Sequence, residues 1–371
     1  MTRRPSRRAR VAQWVLLGVV VAVVWFLGSI AAATSARRHG PLSFAYLADP
    51  TNFDIPFRLI PWTIGDSYGR ALLVCVLNTL LVSAMSIVAA TLLGLLVGVM
   101  RLSTNWLVRN IALGFIELVR NTPQLVQIIF WYVAVLETLP GPRQSIRLPF
   151  GALLNIRGLY LPSFIANDLA TALWPLALVL LLAVPFVWRV PFRDFPLGVK
   201  SFLLVPLAVL AFVAGIDHTD LPAMQGFNIA GGVQVVPELV ALWAGLSIYA
   251  SAFIAEIVRA AILSVHKGQR EAALSLGLRP RQVLSKIVLP QALRVMVPPT
   301  TSQYLNIIKS SSLGAAIAYP ELYEIFAGTA MMQSNREIES IALLMGVFLS
   351  INLVVSAFMN WYNHRIVLVG R

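Results

Sequence analysis

The sequence predicts an all-α integral membrane protein with about eight transmembrane helices, and three observations support this fold class. Of the 371 residues, 58% are hydrophobic and only 12% are charged, a composition far from that of soluble domains. Several stretches of about 17 to 25 residues carry few or no charges, which is the length a helix needs to cross roughly 30 Å of hydrocarbon. A membrane β-barrel would instead show short segments of alternating hydrophobicity.

Eight apolar segments are candidates for these helices. The first follows a cluster of arginines and is longer than the apolar core of a signal peptide, so we interpret it as a membrane helix and not as a cleaved leader. The fourth and fifth are short, contain prolines and are nearly free of polar groups, which favours a lipid-facing or scaffold position. In chain order, the predicted spans cover residues 11–33, 71–100, 107–136, 171–188, 200–215, 238–258, 295–318 and 341–360.

The segments between these spans define the domain organisation. A loop rich in Pro and Gly before the fourth span argues against a long helix there and allows at most a short surface helix. In chain order, we predict a cytoplasmic basic N-terminus at 1–10, a first helix with an outer loop at 11–66, a transmembrane domain at 67–365 and a cytoplasmic tail at 366–371. Within the transmembrane domain lie the outer loop at about 138–170, two extra spans at about 171–215 and a cytoplasmic loop at 264–292.

The distribution of charge predicts the orientation in the membrane. The net charge is +13, but the Lys and Arg residues are scattered between apolar stretches, which indicates topology determinants and no nucleic-acid partner. Both termini are predicted to be cytoplasmic, because this orientation places most of the positive charge inside. It leaves some arginines outside, namely Arg37, Arg38, Arg58, Arg143, Arg147 and Arg157.

Several kinds of chemistry are disfavoured by the sequence. Cys75 is the only cysteine and falls within an apolar run, so neither a disulfide framework nor a cysteine metal site is expected. The four histidines are isolated from one another, which disfavours a catalytic metal site. No phosphate-binding loop of the G-x-x-x-x-G-K-[ST] type occurs, so we expect the chain to bind no cofactor and to hydrolyse no ATP itself.

The loop between the sixth and seventh spans carries the most informative pattern. Residues 269–276 are predicted to form a short helix, Gly277 a left-handed C-cap and Pro280 the start of a second helix. Glu271 offers a carboxylate to a basic partner, and the small residues after it allow close approach, as when a short helix docks into a groove. An amphipathic loop lying on lipid headgroups explains the same residues equally well.

A family resemblance favours docking. Glu271-Ala272-Ala273, then three residues, Gly277, nine residues and Ile287-x-Leu289-Pro290, resembles the EAA loop of binding-protein-dependent ABC importer permeases. By this resemblance, the residues that couple to the ATPase are Glu271, Ala272, Ala273, Gly277, Ile287, Leu289 and Pro290. Residues 68–130 and 235–365 are similar to permeases for polar and general L-amino acids, through segments such as Asn78-Thr79-Leu80, Glu117 to Pro123, Gln291 to Arg294, Pro298 to Asn306 and Tyr319 to Leu322.

The resemblance implies a fold and an assembly. The chain would have a type I ABC importer bundle and would be a non-enzymatic permease subunit in the bacterial inner membrane, importing polar or general L-amino acids. Its partners would be an ATPase dimer that binds ATP and Mg, a second homologous permease in a heterodimer, and a periplasmic amino-acid-binding protein, for which the loop at 216–237 is a candidate receiving surface. A secondary transporter remains the alternative, although it needs no docking loop.

A second group of polar residues marks a possible solute pathway. Lys309 lies near the middle of the seventh span, where a charge is costly unless it faces a cavity or an acid. It either lines a polar cavity that receives an α-carboxylate, or pairs with Glu256 or Glu117, or extends toward the surface. The candidate pathway residues are Asn78, Thr79, Gln303, Tyr304, Asn306, Lys309, Ser310 and Ser311, with helix packing as the alternative for Asn78 and Thr79.

Overall fold

The computed structural model describes residues 7–39, 42–187 and 197–367. The first six residues, the predicted inner loop at Arg189 and Arg193, and the last four residues of the predicted tail lie outside the described residues. The chain folds into two compact units, which are Met1–Trp131 with Ala241–Arg371, and Tyr132–Val240. The first unit is helical, and the second combines two helices with short strands.

Helices occupy all eight predicted spans. They are α1 (Arg7–His39), α2 (Tyr68–Arg101), α3 (Trp106–Arg120), α4 (Gln124–Ile129), α5 (Ala170–Val187), α6 (Leu197–Ala214), α7 (Pro237–Ser264), α8 (Lys267–Ser275), α9 (Pro280–Val283), α10 (Leu289–Ser310), α11 (Ala330–Ser334) and α12 (Glu337–Val367). Among the described residues, four segments are long and apolar enough to cross a membrane, namely Gln13–Ile30, Tyr68–Arg101, Pro237–Ser264 and Glu337–Asn363. The predicted multi-span helical protein is confirmed, whereas the number eight stays a prediction.

The third predicted span is not one continuous α-helix. It divides into α3 and α4, and α4 runs on as a π-helix from Phe130 to Leu136. The break falls before Pro123, which has no N–H to donate to the helical ladder, as the sequence predicts. The Gln127 side chain satisfies carbonyls at the break, because its Nε2 donates to the oxygens of Val119 at 2.9 Å and Thr122 at 3.1 Å.

Close packing of α2 against α7 depends on two glycines one turn apart. A Cβ atom on Gly94 would lie 2.6 Å from Cγ2 of Ile254, and one on Gly98 would lie 2.8 Å from the Ala255 carbonyl oxygen. Small residues at this spacing let two membrane helices approach until their backbones touch. The two helices therefore pack in close contact in the first unit.

We expect Gly98→Leu to destabilise this pair, because the new side chain must displace backbone and not merely a flexible side chain. The expected loss of unfolding free energy is about 1 to 3 kcal/mol or more. Thermal unfolding of the purified protein in detergent measures it. Gly114→Leu is the matched control, since a Cβ atom on Gly114 meets nothing within 4 Å. Equal melting temperatures for the two variants would contradict the predicted contact.

The second unit corrects the prediction for residues 138–170. We predicted an outer loop with at most a short surface helix, but the segment forms strands that pair with strands from residues 216–235. The strands are β1 (Ile146–Arg147), β2 (Leu153–Asn155), β3 (Gly158–Leu161), β4 (Ser163–Ala166), β5 (Ile216–Asp220), β6 (Ala223–Gln225), β7 (Asn228–Ala230) and β8 (Val233–Val235). The sheets are β1-β2-β3-β8, β4-β5 and β6-β7, and all the pairings are antiparallel.

The extra helices α5 and α6 pack closely within the second unit. Alanines form their contact, namely Ala177 on α5 with Ala208 and Ala211 on α6. Near the strands, Trp174 stacks on Phe212 with ring centroids 5.7 Å apart. A hydrogen bond joins the two ends of the unit: the hydroxyl group of Tyr132 donates to the Glu238 carboxylate at 3.2 Å.

Candidate functional site

The predicted docking helix is present, and its caps fix both ends. We name residues 267–289 the coupling segment. At the start of α8, Nδ1 of His266 accepts a hydrogen bond from the Gly268 N–H at 3.1 Å. At its end, Gly277 has φ +80°, and its N–H donates to Leu274 O at 2.9 Å while the Leu278 N–H donates to Ala273 O at 3.2 Å. These two bonds form a Schellman motif, so the predicted left-handed cap is confirmed.

The second helix of the coupling segment connects directly to a predicted membrane span. Pro280 begins α9, and Oε1 of Gln282 accepts from the backbone N–H of Arg279 at 2.9 Å. A π-helix from Leu284 to Val288 joins α9 to α10, and both Val283 and Val288 are buried. The helical backbone is therefore continuous from α9 into α10, and the turn at Gly277 links α8 to it.

The predicted coupling residues divide into exposed and buried positions. Ala273 is buried and Ile287 is half-buried, whereas the other five are exposed, namely Glu271, Ala272, Gly277, Leu289 and Pro290. The apolar side chains of the segment divide in the same way: Val283 is buried, while Leu276 is 83% exposed. The surface open to a partner thus consists of Glu271, the adjacent Ala272 and Leu276 at the turn. Their role in coupling stays a prediction.

A cleft in the first unit contains Lys309. Its volume is about 240 Å³, and we call it the Lys309 cleft. Its lining residues are Gln124, Tyr249, Ala250, Phe253, Gln303, Asn306, Ile307, Lys309 and Ser310. Four pathway candidates lie outside this lining, namely Asn78, Thr79, Tyr304 and Ser311. The Tyr304 hydroxyl is 2.8 Å from Thr91 Oγ1, and buried Ser311 donates to Ile308 O at 2.8 Å.

Lys309 has no acidic partner among the described residues, since no carboxylate oxygen there lies within 4.0 Å of its Nζ. The carboxylate of Glu256 is bound by Arg259 at 2.8 Å, as the spacing of three residues predicts. Glu117 instead accepts from Asn121 Nδ2 at 3.1 Å. The alternative of an ion pair with either glutamate is therefore not found. Lys309 is exposed and lines the cleft, so a polar cavity and extension toward the surface both stay open.

A second cleft continues along the same two helices. Its volume is about 440 Å³, and it shares Phe253 and Gln303 with the Lys309 cleft. Arg120 lines it and lies over the Phe253 ring, with its guanidinium carbon 5.2 Å from the ring centroid. Arg120 lies three residues after Glu117 on the same helix, a spacing that favours an ion pair, but no such pair forms between these two residues. The second cleft is lined mostly by apolar residues, and its polar lining groups are Arg120, Glu256 and Gln303.

The Lys309 cleft has an aromatic wall, whose residues are not among the predicted pathway residues. Tyr249 and Phe253 are one helical turn apart on α7, and their rings pack with centroids 5.0 Å apart and a tilt of 50°. Gln303, Asn306 and Ser310 follow one another at intervals of three and four residues on α10. This helical period on both elements is the signal that identifies facing residues.

The side chains of Asn78 and Thr79 bind backbone groups of two other segments, at Phe57 and at residues 320–322. Both side chains are fully buried in α2. Nδ2 of Asn78 donates to Phe57 O and Pro320 O, each at 2.8 Å, and Oγ1 of Thr79 accepts from the Leu322 N–H at 3.1 Å. These bonds favour helix packing, the alternative considered for these two residues. Their place in the pathway stays a prediction.

The chain is similar to membrane components of known transporters, both by its match to a family model and by its identity to individual relatives. The family model described as "Binding-protein-dependent transport system inner membrane component" matches residues 179–368. A relative from Escherichia coli, the putative amino-acid ABC transporter permease protein YhdX, is 44% identical over 99% of this chain and 96% of its own length.

Two further relatives are similar over nearly their whole length. The general L-amino acid transport system permease protein AapQ of Rhizobium johnstonii is 40% identical over 99% of this chain and 94% of its own. The glutamate/glutamine/aspartate/asparagine transport system permease protein BztB of Rhodobacter capsulatus is 34% identical over 96% of this chain and 93% of its own length.

Proposed function

Because this chain belongs to the family of binding-protein-dependent transport system inner membrane components, we propose that it imports a broad set of polar L-amino acids. It is a permease subunit of an amino-acid ABC transporter, a multi-pass inner-membrane protein that is not itself an enzyme. The observation that carries the proposed breadth is the 40% identity to a general L-amino acid permease over 99% of this chain.

The Lys309 cleft supports this substrate class. An ammonium group without an acidic partner among the described residues attracts an anion, and every amino acid carries an α-carboxylate. The faces of Tyr249 and Phe253 attract an ammonium group through their ring quadrupoles. A site that recognises the groups common to all amino acids accepts many side chains. We therefore propose that Lys309 receives the carboxylate, assisted by Gln303, Asn306 and Ser310.

The partners follow from the family and from the coupling segment. The family implies an ATPase and a solute-binding protein. In our proposal, the pathway contains a second, homologous permease, and ATP and Mg are bound by the ATPase dimer. Closure of that dimer would move α8 through contacts at Glu271, Ala272 and Leu276. The continuous backbone into α10 would then reorient the cleft between the two sides of the membrane.

Chain order supports an orientation for the membrane segments. The coupling segment follows the end of α7 at Ser264, whereas β8 precedes its start at Pro237. The two ends of a spanning helix lie on opposite sides of the membrane. With the coupling segment in the cytoplasm, we propose that the strands before α7 face the periplasm. An even number of spans then returns the C-terminus to the cytoplasm, where the N-terminus also lies.

Uptake of a panel of labelled amino acids tests the proposed function. The chain is expressed with its genomically adjacent subunits in cells that lack their own amino-acid importers. We expect uptake of several polar amino acids, and we expect it to disappear when the phosphate-binding lysine of the ATPase is substituted. Uptake that persists without ATPase activity would indicate a secondary transporter. Uptake of a single amino acid would contradict the broad substrate class.

A further inference from the structure

The second unit carries a cleft remote in sequence from the helices of the Lys309 cleft. Its volume is about 460 Å³. One wall comes from residues 142–153 and the other from residues 221–224. Two arginines and a serine, Arg143, Arg147 and Ser145, lie among apolar lining residues such as Leu148 and Met224. We name this cleft and its rim the arginine face.

The arginines of this face have no acidic partner among the described residues, because no carboxylate oxygen there lies within 4.0 Å of them. The Arg143 guanidinium lies over the Phe227 ring, 4.4 Å from its centroid, which holds it in place without neutralising it. Arg147 is exposed at the edge of the short sheet. A guanidinium group binds a carboxylate through two parallel hydrogen bonds, so this face is complementary to an acidic surface.

Phe150 projects from the rim of the same face. Its side chain is 92% exposed, and its backbone adopts φ +62° and ψ 20°, a left-handed conformation that is rare for bulky residues. Its neighbours Leu148 and Gly151 line the cleft. Backbone strain of this kind is concentrated at functional sites, where the direction of a side chain matters. Phe227, 75% exposed, adds a second ring.

We infer that the arginine face docks a carboxylate-bearing surface of the solute-binding protein, with Phe150 entering an apolar pocket of that partner. The inference rests on the proposed function and on its periplasmic placement of the strands. Phe, Met and Arg are the residue types enriched at the centres of protein interfaces. The charge complementarity is specific, since the partner must bring acids to Arg143 and Arg147.

A lipid headgroup layer is the competing occupant, because aromatic and basic residues also occur where a protein meets the membrane surface. The observations favour a protein. A fluid headgroup layer needs neither a strained backbone that fixes one phenyl ring nor a cleft with two walls beside it. We therefore treat lipid binding as an outcome that would overturn the inference.

Titration of the binding protein onto the complete transporter in lipid nanodiscs tests the docking. The variants are the double substitution Arg143→Gln with Arg147→Gln, and Phe150→Asn, since Asn tolerates a positive φ. Arg157→Gln is the matched control, because Arg157 also lies on the second unit but donates to Asn228 Oδ1 at 2.7 Å. We expect both test variants to weaken binding by about 10-fold or more, as for central interface residues, and the control to bind like wild type.

The outcomes separate this inference from the proposed function. If wild type shows neither uptake nor binding-protein-dependent ATP hydrolysis, the proposed function fails. If wild type transports and the test variants bind as tightly as Arg157→Gln, the inference alone is overturned. An effect that appears in anionic nanodiscs and vanishes in purely zwitterionic phosphatidylcholine would assign the face to lipid and overturn it as well.

Discussion

Substituting valine for Gly277 is expected to abolish amino-acid uptake, whereas asparagine at the same position retains most of it. Gly277 has φ +80°, where a β-branched residue is strongly disfavoured and Asn is tolerated. The cost is about 1 to 2 kcal/mol for an ordinary residue. No atom of this chain lies within 4 Å of a Cβ atom built at this position, so the valine meets no obstacle within the described chain. We expect valine to abolish uptake because the altered turn no longer holds α8 in its orientation relative to α9.

Uptake and the amount of protein in the membrane are measured together for this series. Gly346→Val is the control, because a Cβ atom there also has open space and its φ is that of a helix. If Gly277→Asn is as inactive as Gly277→Val while both insert normally, position 277 touches the ATPase directly and the turn is not the cause. Normal uptake by Gly277→Val would remove the Schellman turn from the coupling mechanism.

Lys309→Met is expected to reduce uptake of all transported amino acids by roughly 10- to 100-fold, the value of one hydrogen bond to a charged group. Methionine keeps the length and the apolar stem of lysine but cannot bind a carboxylate. Lys309→Arg keeps the charge and is expected to retain substantial uptake. Initial rates over a range of substrate concentrations show whether affinity, turnover or both are lost.

The results for the Lys309 variants also distinguish recognition of the substrate from a structural role of the charge. A loss that is equal for acidic, neutral and basic amino acids supports recognition of the common α-carboxylate. Unchanged kinetics in Lys309→Met would exclude Lys309 from the pathway. A loss of membrane-inserted protein, rescued in Lys309→Arg, would instead indicate a structural role for the charge.

Local signals explain which parts of the fold were predictable. The turn of the coupling segment depends on residues close in sequence, where Gly277 ends one helix and Pro280 starts the next. The break at Pro123 depends on a single missing N–H. The strands of the second unit have no such local signal, because they are two to five residues long and Tyr160 pairs with Gln234 across two intervening helices. Their pairing is decided by the tertiary fold.

The candidate site shows the same limit at the level of single side chains. The spacing of three residues predicts both the Glu256–Arg259 pair and a Glu117–Arg120 pair, but only the first forms. Arg120 instead finds the ring of Phe253 on another helix. Local spacing shows which partners are within reach, and packing between helices decides among them.

The hydrogen bond between Tyr132 and Glu238 has an evolutionary consequence. Tyr132 begins the second unit and Glu238 lies near its end, so the two ends of this unit lie close together. A segment with adjoining ends can be acquired, enlarged or replaced without rerouting the helices that it interrupts. This geometry makes residues 132–240 a segment that can change in related permeases while the helices of the first unit keep their order along the chain.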